Sequence, residues 1–248
     1  MRSLLITPAD EQRLAEALNS GADAIIVDLA QGAPAGRVAA RAAAARFLKE
    51  TPGRLGGPML IVRANALDSG EADADLDAVM PGAPAAILLP RSLGAASVQQ
   101  LSAKLAVREA EFDLDGETRI IAVADTAQSL FHLGSYRGAS ARLMGVAWSA
   151  DALRADIGAE TDRDRLGDPL GPYRLARELT LLAATSARVA AIDTVFLNIR
   201  DLEGLRDEAL AARRDGFAGK MAIDPAQVAA INDVFPSRSI PVEKESPS

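Results

Sequence analysis

The chain contains no cysteine, which excludes disulfides, zinc–thiolate centres, thiol nucleophiles and thiol redox switching. It has a single histidine, His132, so chemistry that needs a pair of histidines, at a metal or in a relay, is excluded as well. No apolar run approaches the roughly 18 residues of a membrane span, and the start Met1-Arg-Ser-Leu-Leu-Ile-Thr-Pro8 is too short in apolar residues to read as a secretory leader. Lys and Arg number 27 against 34 Asp and Glu, a net charge of −7, so no basic excess is available for nucleic acid or an anionic membrane. No glycines form a phosphate loop or a dinucleotide fingerprint after a strand. These absences lead us to expect a cytoplasmic protein that acts on a small molecule.

What is present is a rhythm. Eight short apolar runs alternate with Ala-rich segments of helical period, and several runs stop at a polar residue, as in Ala24-Ile-Ile-Val-Asp28, Leu60-Ile-Val-Arg63, Ile120-Ile-Ala-Val-Ala-Asp125 and Met144-Gly-Val-Ala-Trp-Ser-Ala-Asp151. Buried runs of four to six residues separated by amphipathic helices call for a parallel sheet covered by helices. The spacing predicts strands at 3–7, 23–28, 59–63, 85–89, 118–124, 142–148, 192–197 and 219–223. Helices are predicted at 10–20, 34–49, 71–80, 95–110, 126–134, 150–157, 171–188, 201–215 and 225–233. Asp10 and Asp201 read as helix N-caps, while Gly21 and Gly216 read as helix stops. Eight strands in this order predict a closed (β/α)8 TIM barrel, one domain over 1–235, followed by an irregular tail over 236–248.

In such a fold the ligand site lies where the strands end, so the polar stops are the candidates. Arg63 ends an apolar strand. A guanidinium there is costly unless it meets an anion, and its planar fork suits a carboxylate, either a ligand's or that of Asp28 on the adjacent strand. Asp125 and Asp151 close the fifth and sixth strands, where their oxygens could share a Mg²⁺ ion or simply cap the helices that follow. Asn65, just beyond Arg63, and Arg91, just beyond the fourth strand, are further candidates for the pocket. His132 reads as structural, and the charged stretch Glu160–Pro172 as either a functional loop or an exposed connector.

Taken together, these stretches resemble a known family. Arg2-Ser-Leu-Leu-Ile-Thr-Pro, Ser20-Gly-Ala-Asp-Ala-Ile-Ile-Val-Asp-Leu, Val62-Arg-Ala-Asn-Ala-Leu-Asp, Leu88-Leu-Pro-Arg, Ala191-Ile-Asp-Thr-Val-Phe, Asn198-Ile-Arg-Asp-Leu-Glu-Gly-Leu and Gly216-Phe-Ala-Gly-Lys-Met-Ala-Ile-Asp-Pro are similar, in the same order, to the citrate lyase beta subunit-like branch of the HpcH/HpaI aldolases. The resemblance implies an oligomeric barrel, a homo-oligomer, that makes or breaks a carbon–carbon bond beside a carbonyl in an acyl-CoA or a small oxo or hydroxy acid. It implies substrate binding by Arg63, with Asp28, Asn65 and Arg91 in the pocket. It further implies Mg²⁺ held at Asp125, with Asp151 as the second ligand, the ion stabilising an enolate.

The chain departs from the family pattern at sensitive places. Ala30 and Gln31 stand where relatives carry two acids, Asp125 stands for a glutamate, and a gapless match puts Ala152 in place of the strand-six aspartate. Two further readings are therefore carried forward. One is a catalytically eroded homologue that acts as a binding or partner subunit. The other is a metal-independent lyase or hydrolase whose base is Asp28 or Asp125, which requires a raised carboxyl pKa.

Overall fold

The computed structural model describes residues 1–51, 57–165 and 167–236. Eight parallel strands, β1 (Ser3–Pro8), β2 (Ala24–Asp28), β3 (Met59–Arg63), β4 (Ala86–Leu89), β5 (Arg119–Ala124), β6 (Leu143–Trp148), β7 (Ala190–Asp193) and β8 (Gly219–Ala222), close into a barrel in chain order. The helices outside are α1 (Glu11–Leu18), α2 (Arg37–Glu50), α3 (Ala72–Val79), α4 (Ala95–Glu111), α5 (Ala127–His132), α6 (Ala150–Ile157), α7 (Gly171–Ala187), α8 (Leu202–Asp215) and α9 (Pro225–Val234). The predicted (β/α)8 barrel is the observed fold. Among the described residues no helix is long and apolar enough to cross a membrane.

Closure requires β8 to lie hard against β1. A β-carbon on Gly219 would sit 2.6 Å from the carbonyl oxygens of both Met1 and Arg2, so only glycine admits this seam. The predicted caps also form, since the side chain of Asp10 accepts from the Arg13 N–H and that of Asp201 from the Gly204 N–H.

Side chains alternate across each strand, and the two faces enter two different cores. Leu4, Ala24, Ile26, Ile61, Leu88, Ile121, Val123, Ala147, Ile192 and Met221 fill the barrel, whereas Ile25, Val27, Leu60, Val62, Val146, Trp148 and Ala222 pack beneath the helices. Most predicted boundaries fall within a residue or two of those observed. The exceptions are the start of α2, predicted at 34 and observed at Arg37 after a 3-10 turn over Pro34–Gly36, and the seventh strand, predicted at 192–197 and observed at Ala190–Asp193. After Asp193, which pairs with Lys220 of β8, the chain leaves the ladder, and Val195 and Leu197 line the mouth instead. The predicted tail, apart from Pro236, lies outside the described residues.

Candidate active site

Alternation determines what reaches the mouth. Asp28 follows Ile26 by two residues, Arg63 follows Ile61 by two and Asp125 follows Val123 by two, so all three stand on the inner face at the C-terminal rim. Asp28 and Arg63 are register partners across β2 and β3, and Arg63 Nη1 donates to Asp28 Oδ2 over 3.2 Å. The three line a cavity of about 540 Å³, walled by apolar groups that include Leu5, Leu88, Val123, Val195, Leu197 and Met221.

Arg63 is only partly committed. The bond to Asp28 is the sole hydrogen bond of its guanidinium among the described residues, and its side chain is 31% exposed, against 1% for that of Asp28. Four of its five N–H donors therefore remain for a ligand anion.

Asp125 is nearly buried, and its Oδ1 accepts from the Arg91 N–H at 2.8 Å. That donor is aimed by an uncommon backbone, because Arg91 has φ +51°, a left-handed conformation in which a non-glycine residue carries some strain. Burial pushes the Asp125 carboxyl up to about 6, against the opposing pull of the Arg91 N–H and of the charges on Arg63 and Arg91. Asp28 is also raised by burial, opposed by Arg63 and by the backbone N–H groups of Ala30 and Gln31. Near Asp125 lie the buried hydroxyls of Ser92 and Tyr136. Burial, with a smaller contribution from the Asp125 charge, pushes the Tyr136 phenol up to about 12.

The remaining candidates are placed differently. Asn65 is not among the residues lining the mouth. It is buried, with its backbone N–H and its Nδ2 donating to Asp75 Oδ2 at 2.7 and 2.8 Å and Nδ2 also donating to the Leu29 carbonyl, so it ties the β2 and β3 loops to α3. The exposed side chain of Arg91 is likewise absent from the lining, and the residue acts on Asp125 chiefly through its main-chain N–H, its charge contributing less. Asp151 does line the mouth, but it lies in the first turn of α6, half exposed, with Oδ1 held by Arg154 Nη2 at 2.7 Å. His132 is exposed and bonded to the Gln128 carbonyl. None of the described residues of the Glu160–Pro172 stretch lines the mouth, and its Arg163 pairs with Glu208 at 2.6 Å.

Residue-by-residue reading of polar stops missed the apolar lip of Val195, Leu197, Ile199 and Ile223, and the rim pair Arg13 and Glu16. The period-2 step from Met221 to Ile223 was the available signal for the last wall. It also missed a second buried cluster. Lys220 and Asp193 project from the outer face, Lys220 Nζ donating to Asp193 Oδ2 at 3.0 Å, Glu208 Oε1 at 2.7 Å and the Thr194 carbonyl at 2.7 Å. Asp193 Oδ1 accepts from Trp148 Nε1 at 2.8 Å and lies 3.4 Å from Arg177 Nε. Burial alone would raise Asp193, yet the charges of Lys220 and Arg177 hold it below the usual carboxylate range. Burial would likewise lower Lys220, but Asp193 and Glu208 hold it above the usual amine value.

The HpcH/HpaI aldolase/citrate lyase family model matches residues 2–225. Citrate lyase subunit beta of Leuconostoc mesenteroides subsp. cremoris is 34% identical over 191 residues, which are 77% of this chain but only 60% of that protein. A (3S)-malyl-CoA thioesterase of Cereibacter sphaeroides is 33% identical over 238 residues, covering 94% of this chain and 76% of its own length. Among solved structures, a citrate lyase beta subunit from M. tuberculosis, complexed with oxaloacetate and magnesium, is similar with a TM-score of 0.79 at 30% identity, over 94% of this chain and 96% of that one. The chain belongs to the HpcH/HpaI aldolase/citrate lyase family.

Proposed function

We propose that this member of the HpcH/HpaI aldolase/citrate lyase family is a carbon–carbon lyase acting on an acyl-CoA or a small oxo or hydroxy acid. The observation that carries the reading is a partly committed arginine beside two buried carboxylates in an apolar, strand-end cavity. Arg63 receives the substrate carboxylate, which places the reacting carbons over the mouth. In the cleavage direction Asp125 takes the proton of the hydroxyl on the carbon to be released. As that C–O group becomes a carbonyl, the carbon–carbon bond breaks and its electron pair passes to the neighbouring acyl carbonyl, giving an enolate. The same proton then returns from Asp125 to the enolate carbon. A carboxyl near 6 is suited to both transfers at neutral pH. Asp28 holds the inner side of the Arg63 guanidinium and leaves the outer donors free.

Magnesium accompanies oxaloacetate in the M. tuberculosis structure, and as a bound Lewis acid it supplies enolate stabilisation. Asp125 and Asp151, both at the mouth, would hold it here: each keeps Oδ2 without a hydrogen bond among the described residues, while Oδ1 accepts from the Arg91 N–H and from Arg154 respectively. Magnesium commonly takes one or two protein carboxylates and completes its octahedron with water and substrate oxygens, so it does not need a third converging Asp, Glu, His or Cys, of which the described residues show none.

The reading extends to a homo-oligomer, supported by the exposure of Leu175 and Leu182 one heptad apart on α7. The rival reading, an eroded barrel that binds a ligand or a partner subunit without turnover, is favoured by the binding of Asp151 to Arg154. Incubation of the purified chain with malyl-CoA separates the two. The lyase reading expects release of an oxo acid and an acyl-CoA, abolished in Asp125→Asn. Binding without any bond cleavage supports the rival.

A further inference from the structure

The apolar lip of the mouth is built without a strand ladder. After Asp193 neither β6 nor β8 pairs with the chain, and backbone carbonyls packed into a wall need other donors. Two buried side chains supply them. Lys220 Nζ donates to the Thr194 carbonyl at 2.7 Å, and Gln227, in the first turn of α9, donates from Nε2 to the Phe196 carbonyl at 2.8 Å. The Oε1 of the same Gln227 accepts from the Ile223 N–H at 2.9 Å. Gln227, which has no solvent access, thus fixes the segment after β7 and the end of β8 in one register. The side chains so presented to the cavity are Val195, Leu197, Ile199, Met221 and Ile223, and Leu197, Ile199 and Ile223 are exposed. In a ring closed in chain order β7 stands opposite β3, so this wall lies across the mouth from Arg63.

We propose that Gln227 is a positioning residue, and that the wall it sets selects oxo acids by the length of their hydrocarbon substituent. The proposal rests on the reading that the mouth takes an oxo acid by its carboxylate. A ligand held at Arg63 runs across the cavity and brings its far end to Val195 and Leu197. No side chain of that wall offers a hydrogen bond. A hydrocarbon end covers apolar area now open to water, whereas a polar end loses its hydration without a replacement. Discrimination by size also requires a wall that keeps its place, because one free to yield would accommodate any substituent. An irregular segment has no ladder to hold it, and the bridge from the Phe196 carbonyl through Gln227 to the Ile223 N–H does so from behind, out of reach of the ligand.

Binding of pyruvate, 2-oxobutyrate and 2-oxopentanoate to the full chain in a buffer containing Mg²⁺, followed by ligand-observed NMR, tests this. The parent is expected to bind at least about threefold more tightly for each added methylene. Gln227→Met keeps the length of the side chain and removes both of its hydrogen bonds. In that variant the gain per methylene is expected to vanish while pyruvate binds within about twofold of the parent. Leu197→Ala, at an exposed site, is expected to erase the gain for the longest acid, and it keeps the wall testable should Gln227→Met fail to fold. Affinity that is flat along the series in the parent, or a gain that survives Leu197→Ala, overturns the inference and leaves the substrate reading standing. A gain that survives in folded Gln227→Met, or equal weakening of all the acids there, overturns the positioning role. Failure of every acid to bind the parent overturns the substrate reading, and the inference with it.

Discussion

Charge is buried twice in this barrel, and the two regions handle it in opposite ways. On the outer face beneath α7 and α8, Lys220 has three acceptors and Asp193 meets Lys220, Trp148 and Arg177. Both groups are held in their charged forms despite burial. On the inner face at the mouth, Asp125 receives one N–H from another residue and Arg63 one acceptor, and burial wins at both carboxylates, which are raised. Desolvation disfavours a charge in either place. The number of cations paired directly with the carboxylate, two at Asp193, one at Asp28 and none at Asp125 among the described residues, decides whether the group stays ionised for structure or stays adjustable for chemistry.

The comparison breaks most visibly on the saturated side. Lys220→Met leaves Asp193 and Glu208 each short of a partner in a site with no solvent access at Lys220. Removing one member of such a pair costs about 3–5 kcal/mol, measurable as a lower urea midpoint at unchanged slope. Coupling is expected too. In a double-mutant cycle Asp193→Asn is expected to cost far less when Lys220 is already Met, by about 1 kcal/mol or more.

On the unsaturated side the sign reverses. The folded-state carboxyl of Asp125 lies near 6, above its ordinary 3.8, so the folded protein binds that proton more tightly than the unfolded chain. Its contribution is intact below about pH 4 and is lost as pH rises through about 6. A rise of roughly two pKa units corresponds to about 2–3 kcal/mol of destabilisation above that window. Asp125→Asn keeps an acceptor for the Arg91 N–H and removes the ionisation. It is expected to be more stable than the parent at pH 7.5, with the gap closing toward pH 4, while turnover is lost. A parent rate that rises with pH through about 6 would match the same group acting as base.

How much of this was legible beforehand follows from what periodicity encodes. Runs such as Ile25-Ile-Val and Ile120-Ile-Ala report burial on both faces, which fixed the barrel, and their polar stops Asp28, Arg63 and Asp125 fall on the inner face two residues beyond a buried side chain. Asn65 and Arg91 look equivalent in the sequence, but the direction in which a loop residue points depends on the turn. Asn65 turns back onto Asp75, and the left-handed backbone of Arg91 sends its N–H rather than its side chain toward the site. Lys220 and Asp193 were passed over because they sit inside strands, where a charge has meaning only once its partners from β6, α7 and α8 are known. The early exit of β7 was hidden because Val195-Phe-Leu197 is as apolar as a strand and is used as a wall.

The smallest expected effect gives the sharpest comparison, because Asp151 belongs to neither region. It lines the mouth, yet it is half exposed and pairs only with Arg154 three residues on. An exposed pair of that kind contributes about 0–0.5 kcal/mol. If the mouth works through Arg63 and Asp125, then Asp151→Ala should shift the thermal midpoint by no more than about 1–2 °C. It should also leave turnover within about threefold of the parent, well under 1 kcal/mol in the barrier. A large loss of turnover at unchanged stability would mean that this carboxylate, whose Oδ2 carries no hydrogen bond among the described residues, supplies an oxygen to a cation at the mouth. The inner face would then need a cation, and its contrast with the self-sufficient outer cluster would be one of missing ligand rather than of retained adjustability.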